Sequence, residues 1–232
     1  MPTIRVPIVE RVLNANDQLA QKNRDLLKRW SIFSINLMAS PGAGKTSLIL
    51  QTIAHLSTHL KIGVIEGDTA RVTIDADKVR QAGIPAVQVH TAGGCHLDAA
   101  LIADALPQLP LESLQLLIIE NVGNLVCPAS FKLGTDADIL IASVPEGDDK
   151  PFKYPAIYRG LQALILNKTD LLPYVPFAMD NFRKGVEMLN PGLAFFPLSC
   201  STGEGMDQWM EWLTDHALNK EDVGANNHSL LP

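Results

Sequence analysis

The 232-residue sequence has few cysteines, no excess of basic charge and no long apolar run. Three cysteines are too few for a disulfide framework in a chain of this length, which predicts a reducing, cytoplasmic location. The formal net charge of −6 argues against binding to nucleic acids or anionic membrane surfaces, because both attract basic proteins. Because no apolar run reaches the roughly 18 residues of a membrane span, no transmembrane helix is predicted.

Apolar residues make up 47% of the chain, which is enough to bury a sizeable core. They are concentrated in short runs at residues 32–38, 62–65, 86–89, 114–119, 139–144, 164–166 and 194–198. Several runs are apolar on both faces, as strands covered by helices on both sides should be. Segments of helix length lie between many of them, at residues 45–60, 75–82, 96–106 and 177–189, with a last one at 205–218. The alternation predicts an α/β fold with a mostly parallel sheet flanked by helices on both faces.

Two terminal segments lie outside this alternation. Residues 8–30 carry apolar side chains at roughly helical spacing, among them Val12, Leu19 and Leu27. Residues 1–30 are therefore predicted to contain an amphipathic helix that lies against the main domain. Residues 31–218 are assigned to that domain, and residues 219–232, which are mostly polar, are predicted to form a disordered tail.

A glycine-containing loop, "ASPGAGKTS" at residues 39–47, follows one apolar run and precedes a helix-length segment. Glycine lets backbone N–H groups turn toward a phosphate, and the helix N-terminus adds partial positive charge. The lysine would reach the β- and γ-phosphates, and the following threonine would bind Mg²⁺. The usual pattern, G-x-x-x-x-G-K-[ST], has glycine where this chain has Ala39. The predicted phosphate-binding residues of this P-loop are Gly42, Ala43, Gly44, Lys45, Thr46 and Ser47.

The nucleotide base is predicted from "LILNKTDLLP", which places Asn167, Lys168 and Asp170 directly after an apolar run. In an N-K-x-D arrangement the carboxylate accepts two hydrogen bonds from guanine, whereas adenine has no matching donors. The same letters also suit a solvated turn, but a second element, "PLSCSTGEG", follows the next strand. Ser199 and Cys200 in that element are predicted to bring a backbone N–H to the guanine oxygen. We therefore predict that the chain binds GTP.

Acidic residues at the ends of two strands predict a Mg²⁺ site and the machinery for hydrolysis. Glu120 ends the run in "LLIIENVGN", and Gly123 follows, where its backbone N–H would sense the γ-phosphate. Thr46 and Glu120 are predicted to act on Mg²⁺, and Asp68 and Asp75 compete for a role at the ion or the attacking water. Asp68 is favoured because it ends a strand, where open α/β sheets place their ligands. The predicted catalytic residues, which act by positioning and charge stabilisation, are Lys45, Asp68 and Gly123.

The segment "TAGGCHLDAA" at residues 91–100 sets Cys95 beside His96, and Cys127 follows the loop that contains Gly123. One interpretation makes both cysteines small core residues and the histidine a polar group at a helix N-terminus. The other makes the three side chains ligands for Zn²⁺ or Ni²⁺, which suit thiolate and imidazole. The spacing matches no local zinc-finger pattern. Three ligands also leave a tetrahedral shell incomplete, so an exchangeable position or a site shared across a dimer would complete it.

Six segments together resemble the hydrogenase nickel-incorporation GTPase family (HypB-like), of the SIMIBI class of P-loop GTPases. They are "ASPGAGKTS", "EGDTARVTIDADKVR", "TAGGCHLDA", "ENVGNLVCPASFKLG", "SVPEGDDKPFKYP" and "NKTDLLPY". The resemblance spans about residues 32–213, and the combination of "GGCHLD" with "ENVGNLVCP" is specific to the family. It implies that Cys95, His96 and Cys127 bind zinc or nickel between two GTP-loaded subunits. The implied partners are a second copy of the chain, a HypA-like nickel protein and a hydrogenase large-subunit precursor.

The predicted function is that of a GTP-hydrolysing metallochaperone that assists nickel insertion into [NiFe]-hydrogenase. Many relatives also carry an N-terminal Cys-rich site or a His-rich stretch, whereas the first cysteine here is Cys95 and the histidines are scattered. High-affinity nickel storage by an N-terminal tract is therefore not expected. Two alternatives stay open: a GTPase chaperone for urease or a cobalamin-dependent mutase, and a regulatory GTPase whose thiols are structural. Either nucleotide state could hold the metal more tightly.

Overall fold

The computed structural model of the chain describes residues 8–68, 79, 81 and 83–219. The strands are β1 (Phe33–Ala39), β2 (Ile62–Asp68), β3 (Ala86–His90), β4 (Leu116–Glu120), β5 (Ala137–Ser143), β6 (Ala163–Asn167) and β7 (Ala194–Pro197). The helices of the described residues are α1 (Ile8–Arg29), α2 (Lys45–Leu56), α3 (Ala99–Ala105), α4 (Lys150–Lys153), α5 (Pro155–Tyr158), α6 (Met179–Leu189) and α7 (Met206–Leu218). Short 3₁₀ turns join several of these elements.

All seven strands are parallel and form one sheet in the order β3-β2-β4-β1-β5-β6-β7, which confirms the predicted fold class. The central strands β1, β4 and β6 are buried along their whole length. The edge strands β3 and β7 are only partly buried. This pattern explains why the central runs are continuously apolar, since a parallel sheet needs helices on both of its faces.

Alternate side chains of β4 enter separate cores on the two faces of the sheet. Leu116 and Ile118 belong to the core built with α2 and α7, which includes the buried Trp209. Leu117 and Ile119 belong to the core built with α1 and α3. Successive side chains of a strand point to opposite faces, so four apolar residues in a row supply both cores.

The helix predicted at residues 96–106 begins later, at Ala99, because Asp98 caps it. The Asp98 side chain accepts a hydrogen bond from the Leu101 N–H, which otherwise lacks a partner in the first helical turn. His96 consequently lies in the loop before the helix. The interpretation of His96 as a polar group at the helix N-terminus is therefore wrong.

Helix α1 contacts the rest of the protein largely through asparagines. Its buried stripe consists of Asn16, Ala20, Asn23 and Leu27, whereas the side chain of Val12 is 51% exposed. Hydropathy alone placed Val12 on the contact face, and this expectation is wrong. The asparagines can be buried because their amides form hydrogen bonds with backbone groups of neighbouring segments.

Among the helices of the described residues, none combines the length and the apolarity that crossing a membrane requires. Asp75, most of the helix predicted at 75–82 and the tail from residue 220 onward lie outside the described residues.

Candidate functional site

A cleft of about 590 Å³ opens at the carboxyl ends of β1, β2 and β4. Ligands of open parallel sheets bind at this edge, where the connecting loops and helix N-termini converge. The P-loop forms one wall: it leaves β1 after Ala39, and α2 begins at Lys45. Ala39 is accommodated because it is the last residue of an extended, fully buried strand, a position that does not require glycine. The P-loop residues on the cleft wall are Pro41, Gly42, Gly44, Lys45, Thr46 and Ser47, whereas Ala43 is fully buried.

The loop predicted to recognise the base is hydrogen-bonded directly to the P-loop. Asn167 Nδ2 donates to the carbonyl oxygen of Ala43 at 2.9 Å, and Lys168 Nζ donates to that of Gly42 at 2.7 Å. Gly44 has φ of +104°, and a Cβ there would lie 2.3 Å from Asn167 Nδ2. Glycine at this position therefore satisfies both the backbone conformation and the close approach of the two loops. The N-K-x-D sequence thus has a structural role in addition to its predicted contact with guanine.

The residues predicted to contact the base are held by hydrogen bonds to their neighbours. Ser199 Oγ donates to Asp170 Oδ1 at 2.6 Å, which fixes the carboxylate. The Cys200 N–H donates to Asn167 Oδ1 at 3.2 Å, and its carbonyl accepts a hydrogen bond from Gln51 Nε2. Burial raises the pKa of the Cys200 thiol to about 11, so this cysteine stays a protonated packing group at neutral pH.

Oxygen-bearing side chains line the floor of the cleft. Thr46 Oγ1 donates to Glu120 Oε1 at 3.2 Å, so the two groups predicted to act on Mg²⁺ are already adjacent. Asp68 lines the same cleft. Sequence reasoning missed Glu66, which is buried there and pairs in register with Glu120 on the neighbouring strand. The available signal was its position two residues before Asp68, because alternate residues of a strand share a face.

Cys95, His96 and Cys127 come together beside this cleft. One potential ligand atom from each lies within 4.8 Å of the others, with 2.8 Å between the two Sγ atoms and 3.6 Å between Cys95 Sγ and His96 Nδ1. Thiolates bound to one tetrahedral ion at about 2.3 Å each would lie about 3.8 Å apart. The thiols would therefore separate by about 1 Å to bind a metal. The cysteines are not joined by a disulfide.

The environment of the cluster favours exchange with solvent over a role in core packing. Cys95 is exposed and Cys127 is partly exposed, so neither is a small core residue. The hydrogen bond between the two thiols raises the pKa of Cys95 above its usual value, since it stabilises the protonated form. The ring of His96 packs on Phe131 with 4.0 Å between centroids, which fixes its position next to the thiols.

Comparison with known proteins identifies the family of this chain. Residues 34–197 match the family described as CobW/HypB/UreG, nucleotide-binding domain. Hydrogenase maturation factor HypB of Escherichia coli K12 is 46% identical over 202 residues, covering 87% of this chain and 69% of the relative. The chain belongs to the HypB family of hydrogenase maturation factors. The resemblance inferred from the sequence motifs is therefore confirmed.

Solved structures of the HypB family share the fold. The structure of Helicobacter pylori HypB in complex with nickel has a TM-score of 0.85 and 33% identity, covering 93% of this chain and 100% of that one. HypB from Archaeoglobus fulgidus has a TM-score of 0.83 and 35% identity, covering 88% and 99%. Membership in the HypB family confirms the predicted P-loop GTPase and the predicted role in hydrogenase maturation.

Proposed function

We propose that this HypB family GTPase carries nickel on Cys95, His96 and Cys127, and that the bound nucleotide controls how tightly the metal is held. The observation that carries the proposal is the approach of three suitable ligand atoms to within 4.8 Å, on loops that follow β3 and β4. Thiolate and imidazole suit Ni²⁺ and Zn²⁺, and the nickel complex of the H. pylori relative supports nickel as the cargo. Zinc is the alternative to be tested alongside it.

For GTP hydrolysis we propose the following roles. The P-loop backbone binds the phosphates, Lys45 compensates charge on the transferred γ-phosphoryl group, and the Gly123 N–H binds that group. Asp68 orients the attacking water or contacts Mg²⁺ through water. The base is bound by Asp170, supported by the hydrogen bond that Ser199 donates to it.

Mg²⁺ is the cofactor that GTP hydrolysis requires, and the oxygens of Thr46 and Glu120 fit it. They lie 3.2 Å apart at the floor of the cleft, and hydroxyl and carboxylate oxygens are ligands that Mg²⁺ accepts. When bound, the ion neutralises charge on the phosphates. Asp75 was the competing candidate beside Asp68, and its assignment is untested because it lies outside the described residues.

The metal site is tested by replacing its ligands. We expect Cys95→Ala, His96→Ala and Cys127→Ala each to weaken Ni²⁺ and Zn²⁺ binding by more than about 100-fold, because losing a ligand costs more than losing a supporting residue. GTP affinity should stay at the wild-type value, since none of the three metal-binding side chains lines the nucleotide cleft. Competition titrations with a chromophoric chelator measure the metal affinities.

His59→Ala serves as the matched control, because His59 is exposed and distant in sequence from the cluster. It should bind both metals as tightly as the wild type. Wild-type metal affinity in the three ligand variants would overturn the proposed site.

The metal cluster is also proposed to face a second copy of the chain in the GTP-bound state. Three ligands leave a tetrahedral shell incomplete, and Val126, beside Cys127, is 62% exposed. We expect light scattering to give a dimer mass with a non-hydrolysable GTP analogue and a monomer mass with GDP. Val126→Glu should prevent the dimer, because it would bury a charge. Val12→Glu, at another exposed valine, should not, and equal masses in both nucleotide states would contradict the proposal.

The remaining partners are proposed from the resemblance to the HypB family. We propose that a HypA-like nickel protein supplies the metal ion and that a hydrogenase large-subunit precursor receives it. The acidic net charge gives no support for a nucleic-acid partner. We place this cycle in the cytoplasm, where thiols such as the free Cys95 and Cys127 stay reduced.

A further inference from the structure

One buried amide connects three parts of the protein. Asn121 follows Glu120, the last residue of β4, and its side chain is fully buried. Its Oδ1 accepts hydrogen bonds from the backbone N–H of Leu97 at 3.0 Å and of Val122 at 2.9 Å. Its Nδ2 donates to Asn36 Oδ1 on β1 at 3.0 Å.

Each of these contacts lies next to a residue with a proposed function. Leu97 follows His96 of the metal cluster, and Val122 precedes Gly123, whose N–H is proposed to sense the γ-phosphate. Asn36 lies on the strand that leads into the P-loop, and its own Nδ2 donates to Asp138 Oδ1 at 2.9 Å. The Asn121 side chain is therefore hydrogen-bonded to β1 and to one residue beside each site.

The side chain of Leu97 makes a second connection to the nucleotide cleft. It packs against Gly67 of β2, where an added Cβ would lie 2.6 Å from the Leu97 Cγ atom. Gly67 and the adjacent Asp68 both line the cleft. At the other end of the metal loop, the Thr91 N–H donates to the carbonyl oxygen of Asp68 at 3.1 Å. The loop that carries Cys95 and His96 therefore contacts residues of the nucleotide cleft at both of its ends, through Thr91 and through Leu97.

We propose that Asn121 is a positioning residue that couples γ-phosphate sensing at Gly123 to the grip of His96 on the metal. A buried N–H without a partner is costly, so a shift of residue 122 toward the γ-phosphate must carry the Asn121 amide with it. Leu97 must then follow, because its N–H shares the same acceptor oxygen. This inference rests on the proposed function and identifies the residue through which the two sites communicate.

The test is the ratio of metal affinities in two nucleotide states. For the wild type, the Ni²⁺ affinity with a non-hydrolysable GTP analogue and that with GDP should differ by about 5- to 150-fold, the usual range of coupling between sites. In Asn121→Ala the ratio should fall toward 1, because the acceptor oxygen that links the two N–H groups is lost. The affinity for GDP should remain at its wild-type value, since GDP has no γ-phosphate for Gly123 to sense.

Asn23→Ala is the matched control for a purely structural effect. Asn23 is also a buried asparagine, and its Nδ2 donates to the carbonyl oxygens of Ala99 and Leu133, which lie on the segments that follow the metal ligands. Neither of these hydrogen bonds reaches the segment around Gly123. The variant should weaken Ni²⁺ binding by the same factor in both nucleotide states and so leave the ratio unchanged.

A measurement on the wild-type protein tests the proposal even if Asn121→Ala does not fold. The backbone N–H groups of Leu97 and Val122 should both be protected from hydrogen exchange, and their protection should change together when GDP is replaced by the GTP analogue. A response at Val122 without one at Leu97 would overturn the inference.

The outcomes also separate this inference from the function on which it rests. If the wild type binds no metal at the cluster, the proposed function fails. If it binds metal and Asn121→Ala keeps the wild-type affinity ratio, only the role of Asn121 fails. Equal metal affinities in the two nucleotide states of the wild type would remove the coupling and leave the metal site in place.

Discussion

Replacing Asp170 with asparagine is expected to weaken GTP binding by about 2–4 kcal/mol, or roughly 30- to 1,000-fold. The carboxylate would accept two hydrogen bonds from guanine, and Ser199 Oγ, 2.6 Å from Oδ1, holds it in place. An asparagine keeps one acceptor oxygen, which Ser199 can occupy, and turns an N–H donor toward the donors of guanine. Xanthine has an acceptor oxygen at that position, so the affinity for XTP should rise. Calorimetry measures the affinities of the variant and the wild type for GTP and XTP.

Asp207→Asn is the control for this variant. It makes the same change of charge at an exposed position in the first turn of α7. It should bind GTP as the wild type does. The assignment of Asp170 as the base reader would be wrong if Asp170→Asn kept wild-type affinity for GTP and gained none for XTP.

Lys45→Ala should fold normally and hydrolyse GTP about 10²- to 10³-fold more slowly than the wild type. That factor is the usual cost of removing one group that stabilises transition-state charge. Lys45 is the first residue of α2 and lines the cleft, so its ammonium group and the helix N-terminus face the same phosphates. Single-turnover phosphate release measures the rate, and thermal unfolding verifies that the variant is folded.

Lys61→Ala removes an exposed lysine outside the cleft and should leave the turnover rate unchanged. If Lys45→Ala hydrolysed GTP at a single-turnover rate close to that of the wild type, the P-loop lysine would not be needed to stabilise the transition state of hydrolysis.

The fold could be predicted from the sequence because its strands are buried on both faces. Such strands appear in the sequence as continuous apolar runs. In β4, for example, residues 116–119 are all apolar, and Glu120 ends the strand. The P-loop was recognisable for a similar local reason. Its backbone conformation requires glycine at fixed positions, and Gly42 and Gly44 both have positive φ. Strand ends were placed within about three residues, since the last residues of a strand differ little in hydropathy from the loop that follows.

From the residues alone, the proposed metal cluster was one of two possible interpretations of Cys95, His96 and Cys127. Cys95 and Cys127 follow β3 and β4, which are not neighbours, because β2 lies between them in the sheet. Strand order depends on how helices pack on the two faces, and no local spacing in the sequence records it. The structure shows that the connecting loops meet across the end of β2 and bring the two Sγ atoms to 2.8 Å.

The sequence by itself determined the parallel α/β sheet and the P-loop, because the apolar runs and the glycine-containing loop that indicate them are each contiguous along the chain. Tertiary structure decided which polar residues are buried. Asn16, Asn23, Asn36 and Asn121 are all buried, and each bonds to groups distant in sequence. Asparagine is usually found on protein surfaces, so its presence in the sequence does not show that a particular asparagine is buried. Its amide can be buried only where folding supplies partners for both its donor and its acceptor, and those partners exist only after the chain has folded.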